Sequence, residues 1–366
     1  MRIAGLWAIA VLPLGAVAHP GHDMSQELAH RRGFLAQSKR TDLSHCASKL
    51  QARGVESRNL ARRYHTLHAK KQKRDLDSVL DTSHNETDLG YTPTTAERTV
   101  FSSNTSCALT PEATQGPYYI TGEKVRRNVV EDQVGVPLTL DLQVVDIDTC
   151  NPVSDVWLEI WSCNSTGVYS GVVAAANGDG TDDLGNIDTT FLRGIQRTDA
   201  DGVVQFDTLF PGHYTDRATH LHILIHHNAT ELKNHTLGSG NATWVTHVGQ
   251  AFFDQELISA VEETYPYTAN TQVLTKNADD AILASEASLG ADPVVDYAYL
   301  DSNVPDGLFA WMSFGINVTK NYEISASGSY WADGGRPEDN SQWTALPPDD
   351  TASSSSSSST ASSSTP

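Results

Sequence analysis

Short apolar segments separated by turn residues limit most strongly what this chain can fold into. Apolar and polar side chains alternate between residues 137 and 144, and a period of two is typical of a half-buried strand. Asn151-Pro152 then predicts a turn, and the apolar residues 156–161 predict a second strand. Because strands of this length recur without long helices between them, the pattern predicts a mainly β fold.

Asp201-Gly202 predicts a hairpin turn between strands at 194–198 and 203–207. Further along the chain, helical patterns at 254–263 and 278–288 predict two short helices. Strands at this spacing favour an antiparallel β-sandwich over alternating βαβ units.

Two histidines and two tyrosines form the most informative chemical pattern. Residues 218–226 are predicted to form a strand, and side chains on a strand alternate faces, so His220 and His222 point the same way. Tyr214 precedes this strand, and Tyr169 follows the strand at 156–161. A phenol has a pKa of about 10 and ionises at neutral pH only beside a strong cation. Paired phenolates with paired imidazoles favour a hard trivalent ion, and Fe(III) is the best candidate.

Five motifs of this sequence resemble those of the intradiol ring-cleavage dioxygenases, the family of the catechol and protocatechuate 3,4-dioxygenases. In chain order they are Leu158-Glu159-Ile160-Trp161, Gly167-Val168-Tyr169, the run from Thr198-Asp199 through Gly202 to Phe206, Pro211-Gly212-His213-Tyr214, and Arg217-Ala218-Thr219-His220-Leu221-His222. The resemblance spans residues 110–260. A single His-x-His pair would be weak evidence, whereas five motifs in the family's order are specific.

The resemblance implies a β-sandwich of the intradiol type that holds non-haem Fe(III) through Tyr169, Tyr214, His220 and His222. It implies that a small aromatic diol and O₂ react there, and that the ring opens between its two hydroxylated carbons to give a muconate-type dicarboxylic acid.

The resemblance also implies roles for residues beside the metal. Tyr214 would leave the metal and accept a substrate proton. Arg217 would stabilise negative charge that develops on the ring, because its guanidinium is always cationic. Gln250 and Tyr118 would line the substrate pocket.

The sequence departs from the better-known enzymes just before the first histidine. Ala218 stands where those enzymes have proline, and only five residues separate Tyr214 from His220. This short connection resembles the compact, secreted fungal branch of the family. It keeps all four predicted ligands but leaves the identity of the catechol open.

The N-terminus predicts export from the cell. Residues 1–18 combine Arg2, an apolar run and Ala16-Val17-Ala18, which is typical of a cleaved secretory signal peptide. No later stretch reaches the length of about 20 apolar residues that a membrane span needs. Seven sequons agree with a secreted glycoprotein. They are at Asn85, Asn104, Asn164, Asn228, Asn234, Asn241 and Asn317.

Four cysteines remain after signal cleavage: Cys46, Cys107, Cys150 and Cys163. In an oxidising compartment we expect them to pair, although the sequence does not choose among the three connectivities. Their scattered spacing does not fit a zinc site.

Charge is distributed very unevenly along the chain. Residues 24–74 hold 13 Lys and Arg against 3 Asp and Glu, whereas residues 75–366 hold 11 against 41. The basic part is predicted to form short amphipathic helices, with a stop at Gly54. It is either a propeptide or clamp for the acidic domain, with a processing site at Lys73-Arg74, or a solvated extension that packs loosely or mediates dimers. Nucleic-acid binding is not expected, because these basic residues lack interleaved aromatics.

These patterns divide the chain into five parts. They are a signal peptide (1–18), a basic helical segment (19–74), a polar linker (75–109), an intradiol dioxygenase-like catalytic domain (110–345) and a Ser/Thr-rich disordered tail (346–366). The sequence does not decide whether His19 and His22 at the new N-terminus bind copper or are solvated, nor whether the protein is a monomer or a homodimer.

Two other classes of protein compete with the ring-cleaving enzyme. A cupin-type Fe(II) or copper oxygenase would use His-x-His but also needs a carboxylate and a later histidine, and it gives Tyr169 and Tyr214 no role. A noncatalytic secreted β-sandwich could bind aromatics or glycans, yet it would have no need of all four ligands.

Overall fold

A computed structural model describes most of the chain after residue 115 and short pieces before it. The described residues are 43–55, 58–59, 80, 83–85, 87, 106–107, 116–174, 177–178, 182–237, 244–288, 291–300, 303–324 and 326–337. The predicted signal peptide, His19 and His22, the Lys73-Arg74 site and the serine-rich tail lie outside these residues. None of the helices within the described residues has the length and apolar character that crossing a membrane requires.

The described part contains thirteen strands and three short α-helices. The strands are β1 (Ser106–Cys107), β2 (Ile120–Thr121), β3 (Pro137–Asp146), β4 (Trp157–Trp161), β5 (Arg193–Arg197), β6 (Val203–Leu209), β7 (His220–His226), β8 (Trp244–Phe252), β9 (Asp296–Tyr299), β10 (Leu308–Ile316), β11 (Tyr322–Glu323), β12 (Gly328–Trp331) and β13 (Gly334–Pro337). The helices are α1 (Ala47–Ala52), α2 (Gln255–Glu262) and α3 (Ala281–Ala287).

Two five-stranded sheets form the predicted sandwich. The first has the order β1-β10-β3-β6, with β9 also paired to β10, and the second has the order β11-β8-β7-β4-β5. All pairs of the second sheet are antiparallel. The first sheet is mixed, because β10 runs parallel to both β3 and β1. A small third sheet joins β13, β12 and β2.

The inner faces of the two sheets share one apolar core. On β4 the inward residues are Leu158 and Ile160, and on β7 they include Leu221 and Ile223. Helix α2 adds further side chains to the same core, among them Ile258. Because side chains alternate along a strand, the residues between these positions lie on the outer face of the second sheet. His220 and His222 are on that outer face.

The prediction that β3 is half buried is wrong. Its residues from Leu140 to Asp146 are all buried, including the polar ones. The outer face is covered by the N-terminal segment, where Asn59 Nδ2 donates to Gln143 Oε1 at 2.6 Å. Ser313 Oγ donates to the same oxygen at 2.9 Å, so the buried amide is satisfied by polar partners that the local pattern cannot reveal.

The predicted hairpin at Asp201-Gly202 is also wrong, although the turn is present. β5 pairs with β4 in the second sheet, whereas β6 pairs with β3 in the first, so the chain crosses from one sheet to the other. The turn is closed by Gly202 N donating to Asp199 O at 3.0 Å. Since turn residues specify only the reversal, the sequence could not show which sheet each strand joins.

The described part of the basic segment is anchored to the sandwich. Cys46 forms a disulfide with Cys150, in the turn between β3 and β4. Arg53 Nη1 donates to Cys150 O at 3.0 Å, and the exposed Arg58 pairs with Asp201. The described residues therefore pack firmly onto the acidic domain, and the idea of a loosely packed extension does not hold for them.

The expectation that all cysteines pair fails at Cys163. This thiol is free and fully buried, and its Sγ donates to Gly212 O at 3.2 Å. Cys163 directly follows the buried residues of β4, where a thiol behaves as a small apolar side chain.

The sequence predicts a linker over 75–109, but the described residues of this stretch contact the domain. His84 is buried, its Nδ1 lies 2.5 Å from Asp254 Oδ1, and its Nε2 lies 3.3 Å from Asp292 Oδ2. The strand β1 in the same stretch pairs with β10. His84 and β1 therefore belong to the folded domain. An imidazole can be buried between two carboxylates only where the surrounding fold holds all three groups together.

Replacing His247 with leucine is expected to stabilise the protein. His247 is fully buried in β8, and neither ring nitrogen has a hydrogen-bond partner among the described residues. An unsatisfied buried polar group costs about 1–3 kcal/mol, so His247→Leu should raise the free energy of unfolding by about that amount at pH 7. Burial also lowers the pKa of His247 to about 3.

The stabilisation by His247→Leu should increase as the pH falls. Below about pH 6.5 the unfolded chain binds a proton at His247 that the folded protein does not, so the wild type loses stability as the pH falls towards 3. The gap between His247→Leu and wild type should therefore widen by up to about 1.4 kcal/mol per pH unit. Urea unfolding at pH 7, 6, 5 and 4 measures it, with the exposed His227→Leu as control. A gap that stays constant with pH would contradict the prediction.

Candidate metal centre

Two of the predicted site residues, His220 and His222, lie at the start of β7 in the second sheet. His220 pairs with Phe252 and His222 with Gln250 on β8, while His222 also faces Trp161 across the β4 ladder. These ladders fix the direction of both imidazoles on the outer face of the sheet. Tyr214 lies in the turn that leads into β7, where its backbone is bridged to Arg217.

The four predicted ligands are brought together. Tyr214 Oη lies 3.3 Å from His220 Nε2, and the two histidine Nε2 atoms lie 3.2 Å apart. The Tyr169 ring centroid is 5.6 Å from that of Tyr214 and 6.1 Å from that of His222. All four side chains are at most 3% exposed. Polar side-chain atoms from two separate turns and one strand thus converge in a buried space.

The protonation of His220 fits a ligand. Its Nδ1 lies 2.7 Å from Ala218 O, and a carbonyl can only accept, so Nδ1 carries the proton and Nε2 carries a lone pair. Burial and the nearby Arg217 cation lower the pKa of His220 to about 3, which keeps the ring neutral. Neutral imidazole is the form that binds metal ions.

The two phenols lie in an environment that opposes their ionisation unless a cation is bound beside them. Burial raises the pKa of Tyr169 and of Tyr214 well above the ordinary value for a phenol. The Tyr169 hydroxyl is buried and has no hydrogen-bond partner in the described part of the chain. Buried polar groups without partners are rare and point to a missing ligand or ion. Two phenols, two imidazoles and this orphan oxygen fit a hard trivalent metal ion.

Hydrogen bonds from two asparagine side chains and a close approach between two backbone segments hold Tyr169 in place. Asn177 Oδ1 accepts from Tyr169 N at 2.7 Å, while Asn177 Nδ2 and Asn186 Nδ2 both donate to Tyr169 O at 2.8 Å. Gly167 has φ +81°, and a Cβ there would lie 2.2 Å from His213 O. The glycine of the Gly-x-Tyr motif is thus required because the turn that carries Tyr214 approaches it closely.

Aromatic and backbone contacts hold His222. The Trp161 ring stacks on the imidazole with parallel planes and centroids 4.5 Å apart. On the chain before β2, Gly116 has φ +77°, and a Cβ there would lie 2.6 Å from His222 Cε1. Glycine is therefore the residue that allows this backbone to pass over the imidazole.

Arg217 lies next to the four ligands and is completely buried. Its Nε donates to Asp280 Oδ2 at 2.8 Å, and its Nη2 donates to Gln250 Oε1. Its Nη1 has no hydrogen-bond partner among the described residues. The cation acts electrostatically on Tyr214, Tyr169 and His220, which places its charge at the site.

The two residues predicted to line the pocket are also at the site. The ring centroid of Tyr118 is 4.9 Å from that of Tyr169, and its buried hydroxyl has no hydrogen-bond partner in the described chain. Gln250 pairs with His222 in the ladder and accepts from Arg217 through its side chain. All seven predicted site residues therefore belong to one buried cluster.

Sequence reasoning missed the role of Asp280 and the packing roles of Trp161 and Gly116. The helix predicted at 278–288 includes Asp280, whereas in the structure α3 begins at Ala281 and Asp280 is its N-cap. Its ion pair with Arg217 spans 63 residues of sequence, and no local pattern reports such a contact.

The comparisons with known proteins agree with the motifs and the fold. A family model described as Dioxygenase matches residues 114–257. The chain is 32% identical to an intradiol ring-cleavage dioxygenase from Tetranychus urticae, a solved structure that it matches over 58% of its own length and 95% of that protein's, with a TM-score of 0.46. The chain belongs to the intradiol ring-cleavage dioxygenases.

Two further solved structures are more distant from this intradiol dioxygenase. The dioxygenase domain of a dioxygenase and carbohydrate-binding protein fusion from the cellulolytic bacterium Streptomyces sp. SirexAA-E is 23% identical, with 57% of this chain and 97% of that one covered and a TM-score of 0.34. Catechol 1,2-dioxygenase from Pseudomonas arvilla C-1 is 18% identical, with 56% and 60% covered and a TM-score of 0.34. No curated protein matches the chain.

Family membership confirms the predicted enzyme class, which is an intradiol ring-cleaving dioxygenase acting on catechol-type rings. It does not favour the noncatalytic β-sandwich.

Proposed function

We propose that this protein is a secreted non-haem Fe(III) enzyme that opens a small catechol-type ring between its two hydroxylated carbons, with O₂ as the second substrate. The observation that carries the proposal is the convergence of Tyr169, Tyr214, His220 and His222. His220 Nε2 lies 3.3 Å from Tyr214 Oη and 3.2 Å from His222 Nε2, and the Tyr169 ring lies 5.6 Å from that of Tyr214 between centroids.

In this proposal Tyr169, Tyr214, His220 and His222 hold the metal. When bound, Fe(III) supplies the charge that keeps both phenols ionised and draws electron density from a bound catecholate. Four protein ligands leave room for exogenous oxygen ligands, which is the open coordination that a catalytic metal needs.

The protein's own residues then handle protons and charge. Tyr214 is the better candidate to accept a substrate proton at its Oη, because it lies in the turn before β7 whereas the backbone of Tyr169 is held by two asparagines. Arg217 carries a buried positive charge that can stabilise negative charge on the ring without solvent reorganisation. The cost of burying that charge is met partly by Asp280 and Gln250.

Tyr118 is proposed to orient the substrate. Its hydroxyl is buried, has no partner among the described residues, and stands on a ring that packs against Tyr169. A phenol hydroxyl in this position can donate to a polar substituent of the bound ring, and the wall that it forms favours a flat aromatic substrate.

Secretion is supported by features along the chain. The signal-peptide pattern precedes the mature sequence, and the Cys46–Cys150 disulfide is typical of an oxidising compartment. Among the sequons, Asn85, Asn228 and Asn234 have exposed side chains. Asn164 differs, because it is half-buried and its Nδ2, the atom to which a glycan would be attached, donates to Gln133 Oε1 at 3.0 Å. We therefore propose glycans at exposed sequons and an unmodified Asn164.

A visible absorption spectrum with iron quantified in the same sample tests the proposal. The secreted protein should contain about one iron per chain and show a broad tyrosinate-to-iron band that shifts when catechol is added under nitrogen. Admission of oxygen should then yield a muconate-type product with both oxygen atoms taken up from ¹⁸O₂. Protein that stays colourless after Fe(III) addition, or a ring opened beside the two hydroxylated carbons, would sink the proposal.

A further inference from the structure

The completely buried guanidinium of Arg217 needs a counter-charge that sequence reasoning did not identify. A buried cation carries a desolvation cost of several kcal/mol unless it is paired and hydrogen-bonded. Asp280 is the carboxylate in contact with it, at 2.8 Å from Nε, and both side chains are 0% exposed. The other partner, Gln250, is neutral.

The two oxygens of Asp280 serve different parts of the structure. Oδ1 caps helix α3 by accepting from Ile282 N at 2.8 Å and Leu283 N at 2.9 Å. Oδ2 accepts from Arg217 Nε and from Ala218 N, both at 2.8 Å. One carboxylate therefore joins the start of α3 to the segment that connects Tyr214 with His220.

Ala218 N is two residues before His220, whose ring is bonded to the carbonyl of the same Ala218. The Oδ2 atom thus holds both the side chain of Arg217 and the backbone from which His220 is oriented. With Nε and Nη2 occupied, Nη1 is the nitrogen of the guanidinium that has no partner in the described chain.

We propose that Asp280 is a positioning residue for the ring-cleavage reaction, which holds Arg217 so that its Nη1 remains available to the substrate beside His220. The inference rests on the proposed function and adds a residue to it. The hydrogen bonds of Asp280 go to Arg217, to Ala218 N and to the start of α3, so its effect on the reaction is exerted through Arg217 and the adjoining Ala218 backbone.

Because the two oxygens of Asp280 have different partners, Asp280→Asn can remove the contacts of one oxygen and keep those of the other. Asparagine caps helices about as well as aspartate, so the amide oxygen can keep the bonds to α3. The amide NH₂ then replaces Oδ2 and faces two donors, Arg217 Nε and Ala218 N. The variant removes the contacts to Arg217 Nε and to Ala218 N while it preserves the cap and the volume.

In Asp280→Asn we expect a crystal structure with the Arg217 side chain displaced from Gln250, and a kcat lowered about 10–100-fold, the range seen when a partner in the outer shell of a metal site is lost. Iron should remain bound, because all four proposed ligands are unchanged and Asp280 makes no hydrogen bond to them among the described residues. An unmoved Arg217, or an unchanged kcat, would overturn the proposal.

A double variant separates positioning from general damage. If Asp280 acts through Arg217, then adding Asp280→Asn to Arg217→Gln should change kcat by less than about twofold, whereas independent effects would multiply. Multiplication of the two effects would refute the inference. Asp254→Asn is the matched control, since Asp254 also precedes a helix and pairs with the buried His84, but it does not contact Arg217. Its folded, iron-loaded fraction should keep the wild-type kcat.

Folding of the single variant is also informative. If Asp280→Asn does not fold but the neutral pair Arg217→Gln/Asp280→Asn does, the carboxylate is needed because of Arg217, as proposed. If neither folds, the carboxylate is needed for folding independently of Arg217, and the inference fails. If wild-type protein cleaves no catechol, the proposed function fails, while the position of Arg217 in the Asp280→Asn crystal structure still decides whether Asp280 holds it.

Discussion

His220→Ala is expected to lose bound iron and ring cleavage together. The change removes the Nε2 atom that lies 3.3 Å from Tyr214 Oη and 3.2 Å from His222 Nε2. Several kcal/mol of transition-state stabilisation come from a catalytic metal, so kcat/KM should fall by at least about 10³-fold. Iron analysis, the tyrosinate-to-iron band and oxygen uptake measure the three consequences on one sample.

A second change at the same site deletes a single oxygen. Tyr169→Phe keeps the ring that packs against Tyr118 and Tyr214 but removes the hydroxyl that has no hydrogen-bond partner in the described chain. The absorption band should weaken and shift to shorter wavelength, because one of two phenolate donors is gone. Thermal stability of the iron-free protein should not fall, since no protein hydrogen bond is lost.

The matched control for His220 is His226→Gln. His226 is equally buried on the same face of β7, but its Nε2 pairs with Glu159, and it is not one of the four clustered side chains. The variant should keep iron and the absorption band. Iron binding that survives His220→Ala but is lost in His226→Gln would show that the metal centre lies elsewhere on the outer face.

Loss of the Cys46–Cys150 disulfide is expected to have the largest effect on stability. The bridge closes a loop with a sequence separation of 104 residues, and the loop-closure model assigns about 4–5 kcal/mol to a loop of this length. Measured losses for native disulfides run from about 2 to 5 kcal/mol. The double variant Cys46→Ser/Cys150→Ser should therefore unfold at a markedly lower urea concentration than the wild type.

Activity should respond differently from stability. Cys150 lies before the start of β4 at Trp157, whereas His222 faces the other end of this strand at Trp161. Under conditions where the serine variant is folded, we expect kcat within about twofold of wild type, since distant sites act nearly independently. Unchanged urea stability would contradict the prediction, and a large loss of kcat in folded protein would show that the basic segment influences the metal centre. Wild type treated with a reductant under the same conditions is the chemical control for the substitution.

Much of the sandwich and of the site could be predicted from sequence, because both depend on patterns among residues that are close together in the chain. The period of two between 218 and 226 placed His220 and His222 on one face, and the structure confirms a strand over His220–His226. The helices predicted at 254–263 and 278–288 are present as α2 and α3, each shorter by one to three residues at its ends. Five ordered motifs were enough for the family, because each reports a local backbone need or a ligand.

What the sequence could not determine depends on contacts between distant residues. The choice of sheet for β5 and β6, the burial of polar residues on β3 and the anchoring of His84 all arise from neighbours that come together only in the fold. The pairing of Asp280 with Arg217 is of the same kind. Alternation, turn residues and site motifs act within a few residues, so the sequence alone indicated the central strands, the four clustered side chains and the family. Only the tertiary structure decided which buried charges meet. A charged group in the low-dielectric interior needs a partner, but no local sequence pattern shows where in the chain that partner lies.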